Sequence, residues 1–497
     1  MNFDELKKLV SSENPPNICT DSRAVKSGDI FVAIKGTVSD GHDFIEQAIS
    51  NGAQYIICKE SAFKEPVTSH ESQATIIIVE DSVLAAAILA QASKGNPSSK
   101  LINLAVTGTN GKTTVTYLVR SCIKQAGEKC GLIGTVIYDD CSGKSTDAPL
   151  TTPDSLTIAE KQAEMIKNGA KFMITEASSH ALSQNRLAYI NFKAAAFTNL
   201  TGDHLDYHKT KQNYLESKTK LFTSLTSDSF AILNKESPES QYIAKNTKAK
   251  IIWYGIMGFQ PMNAWPGWPC HKADLVAKIK SMDVSGTIYS LNYQGQSAIV
   301  KTPLIGRYNI SNHLAAAGLC LGTGLDLENI AAGLSELKLI PGRLEKVNWA
   351  GNFTVLIDYA HTDDALQNVL SILKPLCKGK LRVIFGCGGD RDKTKRPRMA
   401  QAAEQFADFI TVTSDNPRTE EPQAIIDDII TGFENPNSEN ISVVSDRKQA
   451  IETTIQAAGK DDIILIAGKG HEDYQIIGKT KIHFSDKEIA QNCLKQL

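Results

Sequence analysis

The chain has no apolar run approaching the roughly 20 residues that cross a bilayer, so no membrane insertion is expected. It has no excess of charge either: 53 Lys and Arg stand against 55 Asp and Glu, a formal net charge of −2. Without a basic field, no nucleic-acid partner is expected. The ten cysteines include no Cys-x-x-Cys pair, which fits a reduced, cytoplasmic protein better than a disulfide framework. The N-terminus, MNFDELKKLV, lacks the pattern of a signal peptide and reads as a short amphipathic helix. Internal repeats and low-complexity segments are absent as well.

What is present is a long, ordinary globular composition: 497 residues, 42% apolar and 22% charged. That length suggests about three domains. Short apolar runs such as ATIIIV (74–79), LINLAV (101–106), FMIT (172–175), LRVIF (381–385) and IILIA (463–467) alternate with helical stretches. Most lack polar alternation, as strands buried on both faces do, so the expectation is α/β domains with largely parallel sheets. The breaker-rich KGNPSSK (94–100) and the LIPGR stretch (339–343) place boundaries that give domains 1–98, 99–338 and 339–497. IMGFQPMNAWPGWPCH (256–271) reads as a loop or insertion.

The run LINLAV leads into TGTNGKTT (107–114), which looks like a phosphate loop but is short: Gly108 and Gly111 are separated by two residues, where a Walker A loop has four between its glycines. Amides from Gly108 through Thr109, Asn110 and Gly111 to Lys112 can cradle phosphate oxygens. Lys112 would then reach the β- and γ-phosphates, and Thr113 or Thr114 would hold Mg²⁺. The competing reading is a plain Gly-rich strand–helix turn. In TEASSHALSQNR (175–186), Glu176 sits at the end of a strand, suited to a metal-binding carboxylate, and Ser178, His180 and Arg186 offer donors to an anion. In TNLTGDHLDYH (198–208), His204 and His208 have i,i+4 spacing, open to zinc or to one His completing a Mg²⁺ shell. Lys218, in SKTKLF, reads as a solvated charge on spacing alone.

Further along, GCGGDRD (386–392) follows a strand but fails as a dinucleotide fingerprint, because Arg391 stands where its third glycine belongs. DNPR (415–418) and GKGHE (468–472) also follow strands; Arg418 and Glu472 could bracket a zwitterion, guanidinium to carboxylate and carboxylate to ammonium.

Together these stretches resemble the Mur ligase family, with further matches at DSRAVKSGDIFV (21–32), DGHDF (40–44), LTTP (150–153), IGRYNISN (305–312), PGR (341–343) and DYAH (358–361). The resemblance implies three α/β domains: an N-terminal uridine-nucleotide domain, a central P-loop ATPase domain with a parallel sheet, and a C-terminal Rossmann-like domain. It implies that Ser22, Thr151, Thr152, Ser178, Gln184 and Arg186 contact a UDP-MurNAc-peptide, and that Thr107–Thr114 with Asn309, Arg343 and Asp358 hold ATP. Catalysis falls to Lys112, Lys218, Glu176 and His204, with Thr113, Glu176, His204 and Lys218 as ligands of two Mg²⁺ ions. Lys218 matches the family's carbamylated lysine, which replaces the solvated-charge reading. Ser217 stands where alanine is usual and Asp363 where proline is common.

The amino acid added would be set by Arg391, Asp415, Asn416, Pro417, Arg418, Gly468 and Glu472. An arginine in the DNPR motif accompanies meso-diaminopimelate in the family, and the second carboxylate of that substrate gives Arg418 a partner that lysine lacks. The implied reaction joins meso-diaminopimelate to UDP-MurNAc-L-Ala-D-Glu with ATP, in a monomer. The alternatives are a lysine-adding paralogue, a folylpolyglutamate-type ligase, or a nucleotide-dependent switch that ligates nothing.

Overall fold

The computed structural model describes residues 1–36, 39–60, 74–201, 205–257 and 273–497. His204 lies outside the described residues, as does most of the Trp- and Pro-rich stretch. Among the described residues three sheets succeed one another, alongside a small hairpin. The first has four parallel strands: Ile18–Cys19, Ile30–Val32, Tyr55–Lys59 and Thr75–Val79. Its strands bury both faces, with Ile30 and Val32 in one apolar cluster and Phe31 and Ala33 in another. The expected N-terminal helix forms over Phe3–Leu9, closed by a capping box between Asn2 and Glu5.

The central sheet has eleven strands. The strand Ile102–Thr107 lies between Phe192–Phe197 and Phe172–Glu176, parallel to both. Leu104 and Val106 pack into the core on one face and Ala105 into the core on the other, so an unbroken apolar run is what this position requires. The sheet is parallel only in its middle. One end closes with the antiparallel strands Leu275–Asp283, Gly286–Tyr293 and Gln296–Thr302, the other with Cys130–Ile133, Ile137–Asp139 and Ser145–Asp147. Tight connections such as the two residues 284–285, followed by Gly286 at φ 150°, suit antiparallel pairing, for which a helical crossover is unnecessary.

The third sheet has six strands, with Ile463–Ala467 between Thr354–Asp358 and Leu381–Phe385, and Phe409–Val412 beyond. Ile463, Leu465 and Ala467 enter one core while Ile464 and Ile466 enter the other. Ile305, near the start of the helix Arg307–Leu321, is buried among the residues of this third core. In both larger sheets a late strand is inserted between earlier ones, so loops distant in sequence converge at the carboxyl ends of neighbouring strands.

Candidate active site

The first of these convergences surrounds the short phosphate loop. Thr107 ends its strand and the helix Lys112–Gln125 starts immediately after Gly111. Most helices here begin with a side-chain cap, such as Asp81, Asp154 or Asp326; this one begins on Gly111 at φ 91°, with no side-chain cap. Its first-turn amides therefore face the loop, as anion binding requires. The two glycines are fixed by close approach. A Cβ on Gly108 would collide with Thr198 Oγ1, and one on Gly111 with Asn312 Oδ1. The amides of Thr109 and Asn110 donate to Asn199 O and Oδ1, both at 2.9 Å. Lys112 Nζ folds over the loop onto the carbonyls of Gly108 (3.0 Å) and Thr109 (2.9 Å).

Glu176 ends the neighbouring strand, 1% exposed. Its carboxylate accepts Thr113 Oγ1 (3.2 Å), Thr135 Oγ1 (2.8 Å) and the Thr135 amide (2.9 Å). Thr113, rather than the equally buried Thr114, is thus the phosphate-loop hydroxyl at the carboxylate. An anionic oxygen beside a loop hydroxyl suits a hard cation such as Mg²⁺. Among the described residues, no group of three or more His, Cys, Asp or Glu side chains forms a metal site.

On its other side, the Glu176 carbonyl accepts Thr152 Oγ1 at 2.6 Å, and Thr152 Oγ1 lies 3.1 Å from Ser178 Oγ. Arg186 donates to Thr152 O (2.8 Å) and grips Gln184 Oε1 through two nitrogens. Thr135 Oγ1 also meets Thr151 Oγ1 at 3.1 Å. Thr151, Thr152, Ser178, Gln184 and Arg186 are therefore one connected group joined to Glu176. Ser22 belongs to the first sheet's unit, where its buried hydroxyl donates to Gln47 Oε1 at 2.7 Å.

Lys218 lies on the helix Lys211–Thr223 and is 1% exposed, with Nζ 4.4 Å from the centroid of the Tyr214 ring. Tyr214 OH in turn lies 3.1 Å from Thr109 Oγ1 of the phosphate loop. The lysine therefore points inward, contrary to what its spacing alone suggests. His208 packs against Tyr214 (5.0 Å between ring centroids) and its Nδ1 lies 3.4 Å from Ser217 Oγ.

Asn312 reaches the loop from the helix Arg307–Leu321, and Asn309 on the same helix donates to Ile305 O and accepts from Asn312. Arg343 stacks over the Tyr359 ring at 5.1 Å, and Asp358, at the end of its strand, accepts the amides of Leu344 (2.7 Å) and Ala360 (2.8 Å). Burial pushes the Asp358 carboxyl up, and Arg343 opposes that shift.

The second convergence is at the third sheet. Arg418 has a left-handed backbone, φ 52°, clamped between Ile476 O of the hairpin strand Tyr474–Ile477 and Gly478 N in the turn that leads to the strand Thr480–His483. Its guanidinium donates to Gly389 O at 2.7 Å. Asn416 Nδ2 donates to Glu472 Oε2 (2.9 Å), and Asp415, Pro417 and Gly468 lie in the same cluster. A Cβ on Gly468, at φ 116°, would fall 2.7 Å from Asp415 Oδ2. Burial raises the Glu472 carboxyl, with Lys469 pulling it back. Arg391 is exposed, and among the described residues it donates to its neighbour's carbonyl, Asp390 O, and not to the cluster.

Sequence reasoning gave no role to Thr135, Asn199, Tyr214, Lys469 or the fully buried Arg447–Asp486 pair. Asn199 and Lys469 stand inside quoted motifs; Thr135 and Arg447 carry no local signal.

Family models cover all three regions: the Mur ligase family catalytic domain at residues 16–94, the Mur ligase middle domain at 106–320, and the Mur ligase glutamate ligase domain at 342–470. A protein of Geobacillus kaustophilus named UDP-N-acetylmuramoyl-L-alanyl-D-glutamate--2,6-diaminopimelate ligase is 41% identical over 96% of this chain and 94% of its own. A Gloeobacter violaceus protein of the same name is 42% identical over 96% and 94%. A solved ligase structure of that name superposes with a TM-score of 0.67 at 32% identity, covering 97% of this chain and 95% of that one. The fold is shared with a MurF ligase of Thermotoga maritima in complex with ADP, at a TM-score of 0.60, 19% identity and coverage of 98% and 99%. With a shortened phosphate loop, a buried strand-end carboxylate and three matching domain models in order, this chain belongs to the Mur ligase family.

Proposed function

We propose that the protein joins meso-diaminopimelate to UDP-MurNAc-L-Ala-D-Glu, driven by ATP, in the synthesis of a peptidoglycan precursor. The observation that carries this reading is the double attachment of Glu176. Its carboxylate meets the phosphate-loop hydroxyl of Thr113, while its carbonyl is tied through Thr152 to Ser178 and Arg186. Phosphate donor and carboxylate acceptor would therefore be brought to the two sides of one residue.

A peptide carboxylate is a poor electrophile, so the γ-phosphoryl group passes to one of its oxygens first, giving an acyl phosphate and ADP. The free amine of diaminopimelate attacks the acyl carbon, the C–N bond forms, the amine loses a proton, and the tetrahedral intermediate expels phosphate. Lys112, held over Gly108 and Thr109, is placed to follow the phosphoryl oxygens. Thr113, Glu176, His204 and a carbamate on Lys218 would hold two Mg²⁺ ions, which neutralise charge on those oxygens. The Lys218 amine, once it has lost its ammonium proton, adds to CO₂ and releases a second proton, leaving a carbamate whose oxygens would serve as ligands. Asn309, Arg343 and Asp358 orient the nucleotide, and Ser22, Thr151, Thr152, Ser178, Gln184 and Arg186 the UDP-linked substrate. Arg418, with Asn416, Asp415, Pro417, Gly468, Glu472 and a swung-in Arg391, takes the distal end of diaminopimelate.

The reading extends to domains at 1–98, 99–338 and 339–497 and to a cytoplasmic monomer; among the described residues no helix is long and apolar enough to cross a membrane. Phosphate release with UDP-MurNAc-L-Ala-D-Glu, ATP and either diaminopimelate or lysine tests it. Release with diaminopimelate, and little with lysine, is expected. A preference for lysine would leave the reaction standing and remove the specificity; no release with either would remove both.

A further inference from the structure

Within the amino-acid cluster one cation has no access to solvent. Lys469 is 0% exposed. Its Nζ lies 3.1 Å from Asn416 Oδ1, 3.5 Å from Glu472 Oε2 and 3.7 Å from Asp415 Oδ1, with the Tyr474 ring centroid at 5.7 Å. The chain reaches this position through the left-handed turn at Gly468, where any side chain would press on Asp415. A buried lysine is tolerated only where carboxylates pay its desolvation, and here two converge on it.

We propose that Lys469 is a positioning residue that sets the charge balance of the amino-acid subsite, and thereby its preference for a substrate bearing a second carboxylate. This rests on the ligase reading above. Two consequences of the geometry carry it. First, Lys469 and the Ile476 amide (2.9 Å) both donate to Asn416 Oδ1, which fixes the amide so that Nδ2 points to Glu472. Glu472, the more exposed of the two carboxylates, is thereby held from a single buried point. Second, Lys469 and Arg418 offset Asp415 and Glu472, while the Arg447–Asp486 pair behind them is neutral in itself. Apart from the exposed Arg391, the cluster is then neutral overall, matched to the zwitterionic distal end of diaminopimelate. Without Lys469 it carries one net negative charge, which repels a carboxylate and favours an ammonium standing alone, as on lysine.

The groups facing Glu472 are Lys469, Asp415, Asn416, Arg447, Tyr359 and Tyr474. Burial raises its carboxyl and Lys469 lowers it, so removing the lysine raises it further. Glu472 then takes up its proton at higher pH, and the acid limb for diaminopimelate moves upward.

The test uses the full-length protein and two variants, Lys469→Gln and Lys469→Arg. Phosphate release is followed with diaminopimelate and with lysine, with KM for ATP and for the UDP-linked substrate measured in parallel. In Lys469→Gln, kcat/KM for diaminopimelate is expected to fall about 30-fold or more, as when one partner of a buried charge pair is removed. The diaminopimelate-to-lysine ratio should fall about tenfold, and the acid limb should move to higher pH. KM for ATP stays within about twofold, since no phosphate-loop contact is touched. Lys469→Arg, which keeps the charge, holds the ratio within about threefold. Equal losses with both amino acids and an unmoved acid limb would reduce Lys469 to a structural strut. If Lys469→Gln does not fold, the arginine variant decides: a retained ratio and acid limb support the role, and their loss despite the retained charge overturns it. An inactive wild type would defeat the ligase reading itself, whereas an active wild type with unmoved variants defeats only the role of Lys469.

Discussion

At the carboxyl end of the central sheet, the phosphate loop is shaped by uncharged groups. Gly108 and Gly111 abut Thr198 and Asn312, Asn199 takes two loop amides, and Thr135 secures Glu176. At the same end of the third sheet the subsite is shaped by charge. Asp415, Lys469, Glu472 and Arg418 sit over a buried Arg447–Asp486 pair, and Arg396 ties Glu420 to Asp428 behind the neighbouring loop. The contrast follows the chemistry. Phosphate transfer is common to any amino acid added and asks for a loop of fixed outline. Choosing among amino acids asks for a pattern of charge, which single substitutions can rewrite without disturbing the loop.

The largest effect should come from Lys112, whose side chain folds over the phosphate loop. Lys112→Ala should cost about a thousandfold or more in turnover with any amino acid, the scale of losing a donor aimed at developing charge, while thermal unfolding stays near wild type. Comparable turnover in that variant would break the comparison at its root. Next comes the support of the charged site. The side chains of Arg447 and Asp486 are each 0% exposed and bonded through two guanidinium nitrogens, and Arg447 also holds Ala467 O and Ser414 O, just before Gly468 and Asp415. Arg447→Met leaves Asp486 buried without its partner and should cost about 3–5 kcal/mol in denaturant unfolding. Arg447→Met combined with Asp486→Leu should recover much of it; no recovery would mean the packing, rather than the charges, matters.

Arg418 should give a smaller and more selective effect. Arg418→Leu removes the guanidinium at Gly389 O and should lower kcat/KM for diaminopimelate about 100-fold, with lysine far less affected. Equal losses for both would mean that Arg418 holds the loop instead of reading the substrate.

The same contrast explains what could be read from the sequence. The phosphate loop was legible because its strand, glycines, lysine and helix are contiguous, and the strands LRVIF and IILIA begin and end where the apolar runs do. The antiparallel ends of the central sheet were not legible, since short strands in hairpins and in crossovers share one composition. Burial of Lys218 was legible only through resemblance, because a helix spacing does not tell which face a tertiary contact covers. Lys469 stood in plain sight in GKGHE, but its meaning lies in Asp415 and Asn416, more than fifty positions earlier. Arg391 shows the reverse case: a matching motif position whose side chain lies exposed, away from the cluster's hydrogen bonds.

The smallest predicted effect lies in the neutral half, behind the phosphate-loop helix. His313 is 0% exposed on the helix Arg307–Leu321; its Nδ1 meets Tyr289 OH at 3.0 Å, and its Nε2 is buried with no hydrogen-bond partner among the described residues. Burial pushes its pKa down to about 3 from the ordinary 6.5. The sign follows from which state binds the proton. Below about pH 6.5 the unfolded chain protonates this imidazole and the folded chain does not, so stability present at neutral pH drains away as pH falls toward 3. At pH 5 the loss should be about 2 kcal/mol, at about 1.4 kcal/mol per pH unit. His313→Leu cannot take up the proton. It gives up the Tyr289 contact, at a cost of about 1 kcal/mol at every pH, and its unfolding free energy should fall less steeply than that of wild type between pH 7 and 5. Parallel slopes would show that the imidazole is protonated in the folded chain too, and that this core is less sealed from charge than the uncharged construction of the nucleotide site requires.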